Sequence, residues 1–153
     1  MVVITIIILM SGTAIAGYFR FSQRQAALND GRNFSTMLRR VQALAKNLVY
    51  PAGCSGLTSY NLKSDDSGFD CEICQYVSVY AVCSGVPIKV IESERVLSKA
   101  FFTSPVDVYF AAGSGSIDPY GTFVLSNNVD IASEIVVVTD ENGVINVEER
   151  QIP

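Results

Sequence analysis

The first nineteen residues, MVVITIIILMSGTAIAGYF (1–19), contain no charged side chain. As a helix they would extend over about 28 Å, which is close to the thickness of a bilayer's hydrocarbon core. The run therefore predicts a transmembrane helical segment over residues 1–19. A signal peptide is the competing interpretation, because Ala14, Ile15 and Ala16 form a small-x-small cleavage pattern behind an apolar run.

An amphipathic continuation of this helix is predicted over residues 20–50. Apolar residues recur there at steps of three and four, and basic residues occupy the other faces. Pro51 is the first proline of the chain, so the sequence permits one helix from the start to about Val49. We expect its apolar stripe to pack on the core of the domain. The stripe consists of Phe34, Met37, Leu38, Val41, Leu44, Ala45 and Leu48.

The rest of the chain, residues 51–153, is predicted to form a β-rich head. Short β-rich runs alternate there with turn residues, and Asn142-Gly143 between two such runs predicts a hairpin, because glycine adopts positive φ without strain. Residues 113–121 are expected to be a flexible glycine-rich loop that lacks the ending of a phosphate-binding motif. The fold class is therefore α+β, a long helix with a small antiparallel β-sheet head. The predicted strands are Leu57–Lys63, Gln75–Val82, Ile88–Ile91, Val106–Ala111, Thr122–Leu125, Glu134–Thr139 and Val144–Glu148.

Four cysteines, at positions 54, 71, 74 and 83, allow three disulfide pairings. If residues 54–83 fold as one hairpin, Cys54 meets Cys83 at its open end. The residue numbers of every other cross-strand pair then also sum to 137. This arrangement favours a disulfide between Cys54 and Cys83, with Cys71 and Cys74 closing a small ring in the loop. The first bond would contribute about 3 kcal/mol in the chain-entropy model. A four-cysteine zinc site and a redox role for Cys71 and Cys74 are the weaker alternatives, and disulfides would place the head outside the cytoplasm.

Charge and composition argue against enzymes and nucleic-acid binders. The chain has no His, which removes a Ser-His-Asp triad, a Cys-His pair and imidazole metal ligands. Residues 1–50 hold six basic residues and one acidic residue, and residues 51–153 hold five basic and fourteen acidic residues, so the net charges are +5 and −9. Nucleic acid is an unlikely partner for so acidic a head. The acidic loops, with Asp65, Asp66, Asp70 and Glu72 in one and Asp140 and Glu141 in another, lack a calcium-binding register. We expect no catalytic residues, no metal and no cofactor.

The layout resembles the type IV pilins and the pseudopilins of type II secretion. Residues 1–12, MVVITIIILMSG, are similar to that family's hydrophobic N-terminal helix, and Tyr18 lies where an aromatic residue commonly follows it. The head is similar to that of the minor pseudopilin H and FimT group, whose heads end as Glu134–Val147 does, in a strand, a turn and a second strand. The resemblance also implies features upstream of Met1: a basic leader ending in Gly, a glutamate, and processing with methylation by a prepilin peptidase.

The resemblance implies a structural subunit of a type IV pilus or a type II secretion pseudopilus, with other such subunits as partners. Before assembly the chain would be a single-pass inner-membrane protein with an extracytoplasmic head, and afterwards part of a cell-surface filament or pseudopilus. Residues 1–19 would then exchange lipid contacts for helix packing in the filament core. Arg20 and Arg24 are candidates for charge contacts with neighbouring heads. The alternative is a membrane-anchored or secreted monomeric β domain that binds an extracellular ligand. The implied assembly residues are Val2, Val3, Ile4, Ile6, Ile7, Ile8, Leu9, Gly12 and Tyr18.

Overall fold

A computed structural model describes residues 2–64, 75–127, 133–140 and 142–151 of the chain, and side chains of the helix at position 15 and from 17 onward. Within these residues one α-helix, α1 (Val2–Lys46), precedes nine strands, so the fold is α+β, as the sequence predicts. The strands are β1 (Leu57–Ser64), β2 (Tyr76–Cys83), β3 (Val86–Arg95), β4 (Ala100–Phe102), β5 (Asp107–Ala111), β6 (Ile117–Asp118), β7 (Thr122–Asn127), β8 (Ser133–Thr139) and β9 (Ile145–Gln151).

The strands form two antiparallel sheets. The first has the order β3-β2-β1-β5-β6 and the second the order β4-β7-β8-β9. All seven predicted strands are present. The sequence analysis missed β4 and β6, because runs of three and two residues are too short to show an alternating pattern.

The second half of α1 packs its apolar stripe against both sheets. Phe34, Leu38 and Val41 are completely buried in one continuous core, which confirms the predicted packing face. The Phe34 ring meets Phe102 and Phe123 edge to face, with ring centroids 5.0 Å and 5.8 Å apart. These contacts make the helix part of the head's core.

The helix ends at Lys46, three residues before the expected end near Val49. Leu48 has a φ of 49°, and the Val49 N–H donates to the Leu44 carbonyl over 3.1 Å. Together with a bond from Leu48 N–H to the Ala45 carbonyl, this is a Schellman cap, which closes a helix through a residue in the left-handed region. Leu48, expected in the packed stripe, lies in this cap and is exposed. Sequence periodicity misses the cap because a leucine occupies the position that glycine usually takes.

A disulfide joins Cys54 to Cys83, as predicted, with their Cα atoms 5.4 Å apart. The predicted register of the hairpin is nevertheless wrong by four residues, since Leu62 lies opposite Val79 instead of Gln75. The physical reason is that Cys54 lies outside β1, in a turn where Gly53 and Gly56 have positive φ. Cys71 and Cys74 lie outside the described residues.

The hairpin at Asn142-Gly143 is confirmed. In β8 and β9, Thr139 lies opposite Ile145, and Gly143 has a φ of 79°. Asp140 supports the turn, because its Oδ1 accepts a hydrogen bond of 2.7 Å from the Val144 N–H. Glu141 and the acidic loop residues 65, 66, 70 and 72 lie outside the described residues.

The glycine-rich segment 113–121 is more ordered than the flexible loop that we expected. It contains β6, and its Gly113 N–H donates to the Ala45 carbonyl at the end of α1 over 2.9 Å. Gln42, which is almost fully buried, donates from Nε2 to the carbonyls of Gly115 and Gly143 over 3.1 Å and 3.0 Å. The loop is therefore fastened to the helix, and Gln42 joins it to the β8–β9 turn.

Candidate assembly surface

The part of α1 before Gln23 projects from the head. Residues 17–22 are all exposed, and Ala27 is the first fully buried residue of the described helix. In this projecting segment Ile15, Tyr18 and Phe19 are 56%, 69% and 60% exposed. Large apolar side chains grouped on a surface mark an interaction site in soluble proteins and a lipid-facing site in membrane proteins.

The exposed apolar residues form one patch on the helix. At 100° per residue, Ile15, Tyr18 and Phe19 share a face, and Phe21 lies next to it on the side of Tyr18. The rings of Tyr18 and Phe19 contact each other edge to face with centroids 6.3 Å apart, and Phe21 is as exposed as Phe19. We call Ile15, Tyr18, Phe19 and Phe21 the projecting patch.

Gly17 lies within this segment and leaves the helix backbone accessible to a second helix. A Cβ atom built on Gly17 would have no atom within 4 Å among the described residues. The head therefore does not require glycine at this position. A second helix could approach the backbone closely there, as small residues permit in membrane helix pairs.

Of the two arginines predicted to contact neighbouring heads, Arg24 already has a partner in its own chain. Its Nε lies 2.6 Å from Oε1 of Glu149 in β9. Arg20 is exposed, and among the described residues no carboxylate lies within ion-pair distance of it. The two arginines are therefore not equivalent, and Arg20 is the one whose charge stays available to a second molecule.

Asp30 makes a contact between the helix and the head that the sequence analysis missed. It is the single acidic residue among residues 1–50, and its side chain is completely buried. One carboxylate oxygen accepts hydrogen bonds from the backbone N–H groups of Ser98, Lys99 and Ala100 over 3.0, 2.7 and 2.8 Å, and the other accepts from the Ser98 hydroxyl over 2.8 Å. The carboxylate thus fastens α1 to the segment that leads into β4. The signal for this contact in the sequence was a single acidic residue within an otherwise basic amphipathic helix.

The helix also crosses the second sheet at close range beside Asp30. A Cβ atom on Gly31 would lie 2.5 Å from Cγ2 of Ile135 and 3.1 Å from Cγ1 of Val147. Glycine is therefore required where α1 passes over β8 and β9, and it is not simply a weak point of the helix. Asp30 and Gly31 together fix how far the helix projects.

The predicted assembly residues Val2, Val3, Ile4, Ile6, Ile7, Ile8, Leu9 and Gly12 belong to α1, but their side chains lie outside the described part of the structure. Tyr18, the remaining predicted assembly residue, belongs to the projecting patch. Over the described residues, no helix has both the length and the hydropathy of a membrane span. Comparison with protein-family models, curated proteins and solved structures finds no match to this chain.

Proposed function

We propose that this chain is a structural subunit, a pilin or minor pseudopilin, of a type IV pilus or a type II secretion pseudopilus. It would assemble through its N-terminal helix, with the β-rich head on the outside. The observation that carries the proposal is the projecting patch, which lies at the C-terminal end of the uncharged run of residues 1–19 and extends to Phe21. These large apolar side chains do not belong to the hydrophobic core of the head. In an assembled filament a neighbouring helix would cover them.

The way in which α1 is attached to the head supports the same proposal. A subunit that assembles through one end of a helix must hold the other end rigidly, because the helix then positions the head. The second half of α1 meets this requirement with a buried apolar stripe and with the polar contacts of Asp30 and Gln42. A helix that served only as a membrane tether would not need such directional contacts at both ends of its packed half.

The charge distribution offers a second set of contacts between subunits. Arg20 lies on the projecting part of α1 and has no carboxylate partner among the described residues, so an acidic group of a neighbouring head could pair with it. Reversal of Arg20 to Glu is expected to weaken assembly. Arg24→Glu is a poorer test, because it would place two carboxylates together at Glu149 within one chain.

The test is site-specific photocrosslinking in the native membrane. Tyr18 is replaced by a benzophenone-bearing amino acid, and the exposed Tyr120 of the head is replaced in the same way as a matched control. We expect ultraviolet light to join position 18 to the helix of another copy or of another pilin-type subunit, identified by mass spectrometry. Position 120 should not give that product.

Two results would contradict the proposal. The first is crosslinking of position 18 to lipid alone in cells that are assembling filaments. The second is an N-terminal peptide that begins at Gly17 in mature protein from the native membrane, because it indicates a cleaved signal peptide and a secreted domain. A methylated N-terminus upstream of Met1 would support prepilin processing instead.

A further inference from the structure

A groove crosses the outer face of the five-stranded sheet, above β1. Alternate residues of a strand face opposite sides, and Tyr60 and Leu62 are in the core, so Asn61 between them faces away from it. Asn61 is nevertheless only 2% exposed. Tyr80 of β2 and Tyr109 of β5 lie directly opposite Asn61 on its two sides and form the walls of the groove. The groove encloses about 350 Å³.

The floor of the groove is an amide whose orientation is fixed by the protein. Asn61 Nδ2 donates to Oδ1 of Asp107 over 2.6 Å and to the Val108 carbonyl over 3.4 Å. Both amide hydrogens are therefore used within the protein. The group that Asn61 can still offer to a ligand is its Oδ1, which is a hydrogen-bond acceptor.

Both positively and negatively charged side chains lie around the groove. Lys63 Nζ lies 3.1 Å from Oδ2 of Asp107, and this hydrogen bond raises the pKa of Lys63, so the lysine stays protonated at neutral pH. Lys89 Nζ lies 5.9 Å from the centroid of the Tyr80 ring. The two lysines disfavour a cationic ligand. Asp107 and the net charge of −9 of residues 51–153 disfavour an anionic one.

From this geometry we infer that the groove binds a neutral carbohydrate. The C–H faces of pyranose rings stack on aromatic rings, and Tyr109, which is 40% exposed, presents such a ring. Sugar hydroxyls supply the donors that Asn61 Oδ1 requires, and the two tyrosine hydroxyls exchange hydrogen bonds with them. This inference does not rest on the proposed assembly function.

A proline-rich peptide is the principal rival, because polyproline-II helices also bind in aromatic-lined grooves. Proline has no backbone N–H, so such a peptide offers mainly carbonyl acceptors. Asn61 cannot donate to these carbonyls, because both of its amide hydrogens are engaged by Asp107 and Val108, and its free oxygen pairs only with a donor. The hydrogen-bonding pattern therefore favours the sugar.

The experiment is NMR titration of the ¹⁵N-labelled full chain in micelles of a detergent without a sugar headgroup. The probes are maltohexaose, cellohexaose and N-acetylchitohexaose, with polygalacturonate and a decaproline peptide as comparators. At least one neutral sugar should shift the Asn61 side-chain amide and the Tyr109 backbone amide. Tyr109→Ala should raise the dissociation constant at least about tenfold, which is 1.4 kcal/mol, whereas Tyr109→Phe should preserve most of the affinity.

Tyr120→Ala is the matched control, because Tyr120 is an exposed tyrosine that does not line the groove. Its affinity for the sugar should equal that of the unmodified chain. The inference is overturned if no neutral sugar shifts these amides up to about 10 mM, ten times a dissociation constant of about 1 mM. It is also overturned if decaproline or polygalacturonate shifts them when the sugars do not, or if Tyr109→Ala binds normally.

Discussion

Replacement of Asp30 by alanine is expected to destabilise the head strongly, because four hydrogen bonds converge on this buried carboxylate. Hydrogen bonds to charged groups are each worth about 1.5–3 kcal/mol, and a buried donor left unsatisfied costs about 1–3 kcal/mol. Ser98 and Lys99 are exposed residues, so water can replace the carboxylate at part of the site, whereas Ala100 is completely buried. We therefore expect a loss of about 3–5 kcal/mol in the free energy of unfolding.

The assay is urea unfolding of the purified full chain, followed by circular dichroism. A loss of this size is a large fraction of the about 5–15 kcal/mol typical of a folded protein. The free energy of unfolding of Asp30→Asn should lie between those of Asp30→Ala and the unmodified chain. The asparagine oxygen still accepts a hydrogen bond, but its NH₂ group faces backbone donors. Asp118→Ala is the control, since it removes the same charge from an exposed position. If Asp30→Ala costs less than about 1 kcal/mol, the carboxylate does not fasten the helix and our reasoning is wrong.

Two further predictions concern single positions in the core. Gly31→Ala should cost about 1–3 kcal/mol of unfolding free energy by overpacking against Ile135, despite alanine's better helix propensity, whereas Gly17→Ala should not destabilise the isolated chain. Equal urea midpoints for the two variants would refute the close approach of Gly31 to Ile135. Burial raises the pKa of the Tyr60 phenol, whose hydroxyl donates to the Val49 carbonyl. The folded state therefore holds this proton more tightly than the unfolded state. Its stabilisation should be complete below about pH 10 and decline as the pH rises further, and Tyr60→Phe should make the decline of the urea midpoint between pH 8 and pH 11 smaller than in the unmodified chain.

The sequence predicted those elements whose signals are local. The helix stripe has a period of three to four residues, and the strands are bounded by turn residues such as Asn142-Gly143. The pairing of β1 with β2 was also predicted, but its register was not, because the prediction assumed that Cys54 belongs to the paired strand. Disulfide geometry constrains two Cα atoms to lie close together and says nothing of which neighbouring residues share hydrogen bonds.

The candidate sites depended on long-range contacts and were harder to predict. Asp30 binds residues 68 to 70 positions away, in a short segment with no recognised strand signal. The register error also hid the groove, since pairs summing to 137 would place Tyr76 opposite Asn61 instead of Tyr80. The projecting patch was partly predictable, because Tyr18 and Phe19 follow an apolar run. Only the structure shows that the helix projects from the head before Gln23.

Polar contacts at both ends of the packed half of α1 give the helix one position on the head. An apolar stripe with a period of three to four residues defines the position of the helix along the sheets only loosely, because apolar contacts are not directional. Asp30 and Gln42 are twelve residues apart, about 18 Å along the helix, and each bonds several backbone groups of the head. A slip of one turn would leave the Asp30 carboxylate and these backbone groups unsatisfied at once. In a filament, where α1 would connect each head to the shared helical core, these contacts would set both the height and the rotation of the head.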